Sequence, residues 1–499
     1  MMGTPILLLN AAQYHLYIPS HNIREADCDC DCACQVAPSS NQLSNINKTS
    51  LWKYNKQFIV EPINSEYYVI ASKSGALVLK KIALHSLQKL DKPYTLQEIA
   101  AILHTELSCD NSDGIAHLLA EHGLLLQTQT TVNSTLQFDT LAAWIHLTDR
   151  CNLRCAYCYL PHNSEDMTSE IGYKIINSIF DVAHKRSLNR VKLKYAGGEP
   201  LLNFPLLENL HQYARVRARE ANINLDGIVL SNGTLLTPQI VYNLRNLDLK
   251  LMISLDGLGN YHDVQRSYAG GHGSFADVAR SVEMAIKHGL HPTISITVSN
   301  LSASGLADIV AWVLERQLPF SLNFYRENDF SKMPNELQFN DQQIISGMLS
   351  AFQVIETNLP PQRVLGGITD RANLTSAHTH SCGVGQNYLV FTPSGQLTQC
   401  HMSMHQPIGN IKIDPLTQII HNKIGIQNLP ASEKEGCQDC KWQHWCAGGC
   451  PVTTYRATGR YDVQSPNCNI YKALFPEALR LEGLRLLKYQ DNPQIVKAI

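Results

Sequence analysis

Three cysteines, Cys151, Cys155 and Cys158, fall within eight residues of the segment LTDRCNLRCAYCYLP. Spacing of the type Cys-x3-Cys-x2-Cys lets one tight loop present three thiolates to three corners of a [4Fe–4S] cube, leaving the fourth iron to a ligand that is not protein. Structural zinc is the other use for such thiols; it needs a fourth protein ligand, and His162 follows four residues on. A second constellation lies beyond residue 380: Cys382, Cys400, Cys437, Cys440, Cys446, Cys450 and Cys468. Seven thiols are too many for one cubane and one short of two. Zinc ribbons are again the alternative.

These residues need a scaffold, and the chain between 142 and 325 supplies a repeating pattern. Strand-like runs AWIHLT, VKLKYA, DGIVLS, KLMISL, TISITV and FSLNFY alternate with helical stretches such as SEIGYKIINSIFDVAHK. Six strand–helix units predict a parallel sheet with helices outside, short of the eight that close a full barrel. The expected class is α/β, a partial (β/α)6 TIM-like barrel, with a loop-rich, cysteine-rich C-terminal region. Chemistry in such sheets sits at the carboxyl ends of the strands, and the first cysteine motif directly follows the first strand. The next strands end in YAGGEP, LSNGT and SLDG, placing Gly197, Gly198, Glu199, Asn232, Ser254 and Asp256 on the same rim. The glycines are read as letting a ligand approach backbone, and Glu199 as a holder of an ammonium.

Composition narrows the function. The chain has 499 residues, 44% hydrophobic and 17% charged, with a formal net charge of −2. That size predicts several domains, and the balance gives no electrostatic footprint for nucleic acid or anionic lipid. No apolar run reaches the length of a membrane span, and the opening MMGTPILLLN lacks a basic flank and a cleavage site, so it reads as an early strand or tail. A cytoplasmic location is the expectation. With no secretory signal, fifteen clustered cysteines favour metal over disulfides.

Residues 142–325 resemble a radical S-adenosylmethionine (SAM) core, whose signature is the spacing of Cys151, Cys155 and Cys158. The resemblance implies that SAM itself fills the vacant corner through its amino and carboxylate groups. It places Gly197, Gly198 and Glu199 at the methionine amine, Tyr157 beside the adenine, Ser254 and Arg266 near the ribose and carboxylate, and Asn232 in the same pocket. One-electron cleavage of SAM then gives a 5′-deoxyadenosyl radical that abstracts hydrogen from a substrate C–H bond. The seven later cysteines resemble a SPASM extension. By that likeness Cys437, Cys440, Cys446 and Cys468 hold one auxiliary cluster, and Cys382, Cys400 and Cys450 another, giving three [4Fe–4S] clusters in all. The second set lacks a fourth thiol, for which His378, His380 or a substrate thiolate are candidates. Sulfatase maturases of this architecture carry aspartate after the cysteine matching Cys400; here His401 stands there. His401 and Asp256 are the candidate catalytic acid–base residues.

Residues 57–128 suggest a small winged-helix-like module. YTLQEIAAIL opens with Thr95 and Glu98 at capping-box spacing, and LLAEHGLLL follows. The module loosely resembles the domains that grip leader peptides by strand addition in ribosomal-peptide pathways. The expected organisation is thus a poorly ordered 1–50 with Cys28, Cys30, Cys32 and Cys34, a recognition module at 57–128, a core at 140–350, an auxiliary-cluster domain at 376–475, and a helix and tail at 476–499. The resemblance implies oxidative modification of a precursor peptide, thioether or another crosslink being the leading product, with an external one-electron reductant of flavodoxin or ferredoxin type. Sulfatase-type formylglycine formation and a non-catalytic zinc-binding interaction protein are the alternatives.

Overall fold

Hydrophobic alternation organises the first sheet of the computed structural model, which describes residues 50–72, 75–107, 112–128, 138–370, 372–374, 377–420 and 425–489. The four N-terminal cysteines at 28–34 and Cys109 lie outside those residues. Strand β1 (Trp52–Tyr54) is followed by β2 (Ile59–Pro62), β3 (Tyr67–Ser72), β4 (Gly75–Lys80) and, after three helices, β5 (Leu125–Gln127). Strands β2, β3 and β4 form an antiparallel meander, and β1 pairs with β5. The reciprocal capping box is present: the Thr95 amide donates to Glu98 Oε2 at 2.8 Å, and the Glu98 amide to Thr95 Oγ1 at 3.2 Å. Five strands and three helices make up this N-terminal unit.

Because side chains alternate along a strand, the meander has two apolar faces. Ile70, Leu77 and Leu79 join the module's own helices in a separate core. Ile63, Val69, Ala71, Ala76 and Val78 instead enter the main core of the molecule. There they pack on the helix Cys468–Lys488, a single element that runs across position 476. Gly483 sets the approach: a Cβ there would lie 2.5 Å from Ile63 Cδ1 and 3.0 Å from Val69 Cβ.

The central sheet contains β6 (Thr140–His146), β7 (Arg190–Ala196), β8 (Asn224–Ser231), β9 (Leu249–Ser254), β10 (Thr293–Val298) and β11 (Phe320–Phe324) in sequential, parallel order. These are the six runs expected from the sequence. Helices begin at side-chain caps, as where Thr168 accepts from the Ile171 amide before Ser169–Lys185. Leu141, Ala143, Ile145, Val191 and Leu193 face the helices in the main core, whereas Trp144 and Ala196 face the other way, into a cluster that includes Cys382, Cys400 and Cys450.

The sheet continues beyond β6 into the cysteine-rich region. Strand β12 (Tyr388–Phe391) pairs parallel with β6, and β13 (Gln396–Thr398) and β14 (Gly409–Asn410) follow antiparallel. Asn387 starts this addition, accepting from the Ala142 amide at 2.9 Å and donating through Nδ2 to the Thr140 carbonyl at 3.1 Å. The barrel's inner wall is therefore built partly by the C-terminal region.

Replacing Gly483 with leucine forces a side chain into the module's seat. Overpacking of this kind costs about 1–3 kcal/mol, and the expected outcome is a lowered urea midpoint with earlier proteolytic release of the N-terminal module, measured on the full-length chain.

Candidate functional site

The Cys151–Cys158 loop leaves β6 and is held by backbone from several directions. The Arg154 and Ala156 amides donate to the Ser267 and Gln265 carbonyls, each at 2.8 Å. Arg154 Nη1 closes the loop on itself through the Cys151 and Leu153 carbonyls at 2.7 and 2.8 Å. The Leu153 amide donates to Cys151 Sγ at 3.3 Å. Burial pushes the Cys151 and Cys158 thiols up to about 12, and the neighbouring Cys155 adds to both. Three buried thiols that disfavour one another's charge are a site that a cationic metal cluster satisfies, since thiolate is the ligating form. His162 lies at the loop's exit with a left-handed φ of 55°.

The glycines of YAGGEP serve the loop first. A Cβ on Gly197 would lie 2.3 Å from the Thr148 carbonyl oxygen, and one on Gly198 2.2 Å from that of Arg150. The close approach they allow is between β7's exit and the cysteine loop. Glu199 is wholly buried, and its carboxylate accepts from the Asn232 amide at 2.7 Å, the Ser231 hydroxyl at 2.9 Å and the Leu201 amide at 3.0 Å. Burial nonetheless raises its pKa to about 7 against those donors. Three donors from this chain already occupy the carboxylate, which leaves the backbone of 197–199 as the part of the motif open to an ammonium. Asn232 is similarly engaged: its Nδ2 donates to Asn152 Oδ1 at 2.9 Å and approaches Cys151 Sγ at 3.7 Å. It ties β8's end to the cysteine loop.

Tyr157 and Tyr159 leave Cys158 toward two different groups of residues. The Tyr157 hydroxyl donates to Asp256 Oδ2 at 2.5 Å, and Asp256 Oδ1 accepts from the Thr297 amide at 2.8 Å. Arg266 lies over the Tyr157 ring at 5.5 Å, with its Nε 3.9 Å from Asp256 Oδ2. Burial works against the Arg266 charge, but Cys155, Tyr157, Asp256 and Cys151 together hold it protonated. Its Nε and Nη1 have no hydrogen-bond acceptor among the described residues, although the side chain is buried. A buried guanidinium with spare donors beside three thiols suits a carboxylate ligand. Ser254 ends β9 on the same rim and is half-buried. Asp256 is fully committed to this network and raised by burial.

Tyr159 faces the other group. Its ring meets His401 edge-on at 5.2 Å, His401 stacks on Trp144 at 4.5 Å, and the Tyr388 hydroxyl is 3.1 Å from His401 Nδ1. The structure therefore puts His401 and Asp256 on either flank of the Cys158 loop. His146, missed by the sequence reading, ends β6 within this group: it is wholly buried, and neither ring nitrogen has a hydrogen-bond partner among the described residues. Burial depresses its pKa to about 3, so the ring is neutral. A polar residue at an inward position of a strand's last turn was the available signal.

The later cysteines divide spatially. Cys437, Cys440, Cys446 and Cys468 line one small hollow, walled by Trp442, Tyr471 and Phe475. Cys382, Cys400 and Cys450 lie together in the cluster with Trp144 and Tyr388. Asn428 Nδ2 approaches Cys382 Sγ at 3.8 Å. The His378 amide donates to the His444 carbonyl at 2.6 Å, and the His380 ring meets the Thr379 hydroxyl at 2.9 Å. Near Cys450, Arg326 pairs with Asp370 at 2.8 Å, and Asp370 also accepts from the Tyr471 hydroxyl at 2.8 Å. That network ties β11 to the C-terminal helix.

Comparison with known proteins agrees with this geometry. Residues 145–303 match the radical SAM superfamily, and residues 382–441 the SPASM iron–sulfur cluster-binding domain. A cysteine-type anaerobic sulfatase-maturating enzyme of Clostridium perfringens is 24% identical over 365 residues, covering 68% of this chain and 96% of that one. The antilisterial bacteriocin subtilosin biosynthesis protein AlbA of Bacillus subtilis is 24% identical over 326 residues, covering 62% and 67%. The structure of native anSMEcpe with bound AdoMet and the Cp18Cys peptide superposes with a TM-score of 0.57 at 18% identity, covering 71% of this chain and 99% of that one. This last likeness bears on the fold. The cofactors are SAM with a [4Fe–4S] cluster in the radical SAM domain, and auxiliary iron–sulfur clusters in the SPASM domain.

Two outcomes are expected. The anaerobically reconstituted protein carries iron and sulfide at about eight to twelve atoms per chain, and no zinc in their place, by elemental analysis. Arg266→Met removes a charge-assisted contact worth about 1.5–3 kcal/mol, so calorimetry registers SAM binding weakened by roughly ten- to a hundredfold at unchanged iron content.

Proposed function

The chain is a radical SAM enzyme with a SPASM domain, and on that premise we propose that it oxidatively modifies a precursor peptide, forming a thioether or another crosslink. The carrying observation is the placement of Cys382, Cys400 and Cys450 with Trp144, on the inner side of the sheet whose strand β6 delivers the SAM-binding loop. Among the described residues three thiols belong to that inner set, so its fourth position suits a substrate thiolate or an imidazole, with His380 and His378 the candidates just before Cys382. Relatives named for sulfatase maturation and for subtilosin biosynthesis support a peptide or protein substrate.

When bound, the cluster and SAM supply one-electron access to an unactivated C–H bond. This chain's residues position and enclose that chemistry. Cys151, Cys155 and Cys158 hold the first cluster; the backbone of Gly197–Glu199 and the Arg266 guanidinium receive the amino and carboxylate groups of SAM; Tyr157 and Ser254 border its nucleoside. Trp144, Tyr159 and Tyr388 exclude water around His401, which is the residue placed to take a proton from substrate. The module carrying β2–β4 grips a leader by strand addition, since β2 and β4 are edge strands among the described residues. A flavodoxin- or ferredoxin-type protein supplies electrons.

Sulfatase-type maturation is the second reading, favoured by the 96% coverage of the Clostridium perfringens relative. His401 in place of aspartate argues against it.

The test uses reconstituted protein, SAM and dithionite. Cys155→Ala is expected to abolish 5′-deoxyadenosine release while auxiliary iron remains; undiminished release would refute the assignment. A cysteine-bearing sulfatase peptide is expected to stay unchanged by mass spectrometry, whereas a short cysteine-rich peptide encoded beside the gene should lose two hydrogens per linkage. Conversion of the sulfatase peptide to formylglycine would favour the second reading.

A further inference from the structure

Lys434 precedes the outer cysteine set in the polar run ASEKEGC, yet it is only 1% exposed. Its side chain lies against the loop Cys446–Cys450, one end of which belongs to each auxiliary set. Lys434 Nζ donates to the Ala447 carbonyl at 3.1 Å. Gly448, left-handed at φ 79°, leaves the space that the lysine fills: a Cβ there would lie 2.5 Å from Lys434 Cδ and 2.8 Å from Nζ. Ala447 before it and Gly449 after it also have positive φ, 50° and 69°. The loop's tight left-handed course and the lysine's burial are thus one packing arrangement.

An ammonium has three donors and a full charge, and burying it without a counter-charge is costly. Among the described residues no carboxylate pairs with Lys434. Burial lowers its pKa, and the groups that act against that shift are Cys437, Cys382, Cys446 and Cys450. Two belong to each auxiliary set. Arg326, the other buried cation near Cys450, differs because Asp370 neutralises it directly.

We propose that Lys434 is a shared counter-charge for both auxiliary clusters, its ammonium wedged against the one loop that carries a ligand of each. One-electron reduction of either cluster adds one negative charge to its site, and a fixed cation between them stabilises that added charge. Net charge near the cluster is one of the determinants of its potential. Lys434 therefore raises both auxiliary potentials together, toward values at which they accept an electron from oxidised substrate. The inference rests on the ligand assignment above, which the iron content of the unaltered protein tests separately.

The experiment is an EPR-monitored redox titration of the reconstituted full-length chain, in a Cys155→Ala background that leaves the auxiliary signals alone. Lys434→Met, similar in length but uncharged, is expected to shift both auxiliary midpoints downward by at least a tenfold change in the reduced-to-oxidised ratio, ~59 mV for one electron. Lys434→Arg, which keeps the charge, should stay with the unaltered protein. A shift at one auxiliary cluster only, or at neither, with full iron content would overturn the proposal. If Lys434→Met fails to take up auxiliary iron, retention of that iron by Lys434→Arg supports a role of charge, and its loss there too overturns it. Deficient auxiliary iron in the unaltered protein would instead refute the ligand assignment.

Discussion

Burial of thiols beside one another is the constraint on which this architecture turns. Cys155, Cys382, Cys400, Cys437 and Cys450 are buried outright, and desolvation raises thiol pKa values in the Cys151–Cys158 loop and at Cys437 alike. A loop dense in such groups has little apolar surface with which to hold itself. The fold compensates with backbone hydrogen bonds: Gly197 and Gly198 bring β7's exit against Thr148–Arg150, the 265–267 segment clamps Arg154 and Ala156, and Glu199 locks β7 to β8. Restraints from β7's exit, the end of β8 and the 265–267 segment thus add to the loop's own Arg154 contacts in fixing its position.

The same economy appears across the sheet's seam. Strand β12 completes the inner wall beside β6, so the residue that stacks on His401, Trp144, belongs to the SAM-binding core, while His401 and Tyr388 come from the cysteine-rich region. Two segments separated by more than two hundred positions in the chain build one aromatic enclosure. Within it His146, wholly buried, is held neutral by desolvation.

Much of this was legible in the sequence where a physical period or a fixed spacing carried it. Six strands were readable because each is a short apolar run bounded by turn residues, and the first cysteine triad because of its tight spacing, whereas the division of the later seven came through the resemblance to a SPASM extension. What escaped depended on tertiary partners. YLVF reads as any apolar run, and nothing local says that it pairs with β6. The glycine pair reads as an opening for ligand, whereas its missing side chains face the cysteine loop. Glu199 reads as a free carboxylate, yet three donors from two neighbouring segments consume it. Lys434, in a run of charged residues, looks like ordinary solvated surface, and only the left-handed Gly448 opposite explains why it is inside.

The seat at Gly483 has a consequence for biosynthesis. One face of the β2–β4 meander finds its cover in a helix encoded some four hundred positions later. At about 5–20 residues per second of translation, Val69 waits roughly 20 to 80 s on the ribosome before Gly483 is made. Through that interval an apolar sheet face and its open edges stand bare on the nascent chain, the kind of surface that chaperones bind and that neighbouring polysomes can mispair. Chaperone supply and growth temperature during elongation are accordingly levers on the yield of folded chain, distinct from iron supply.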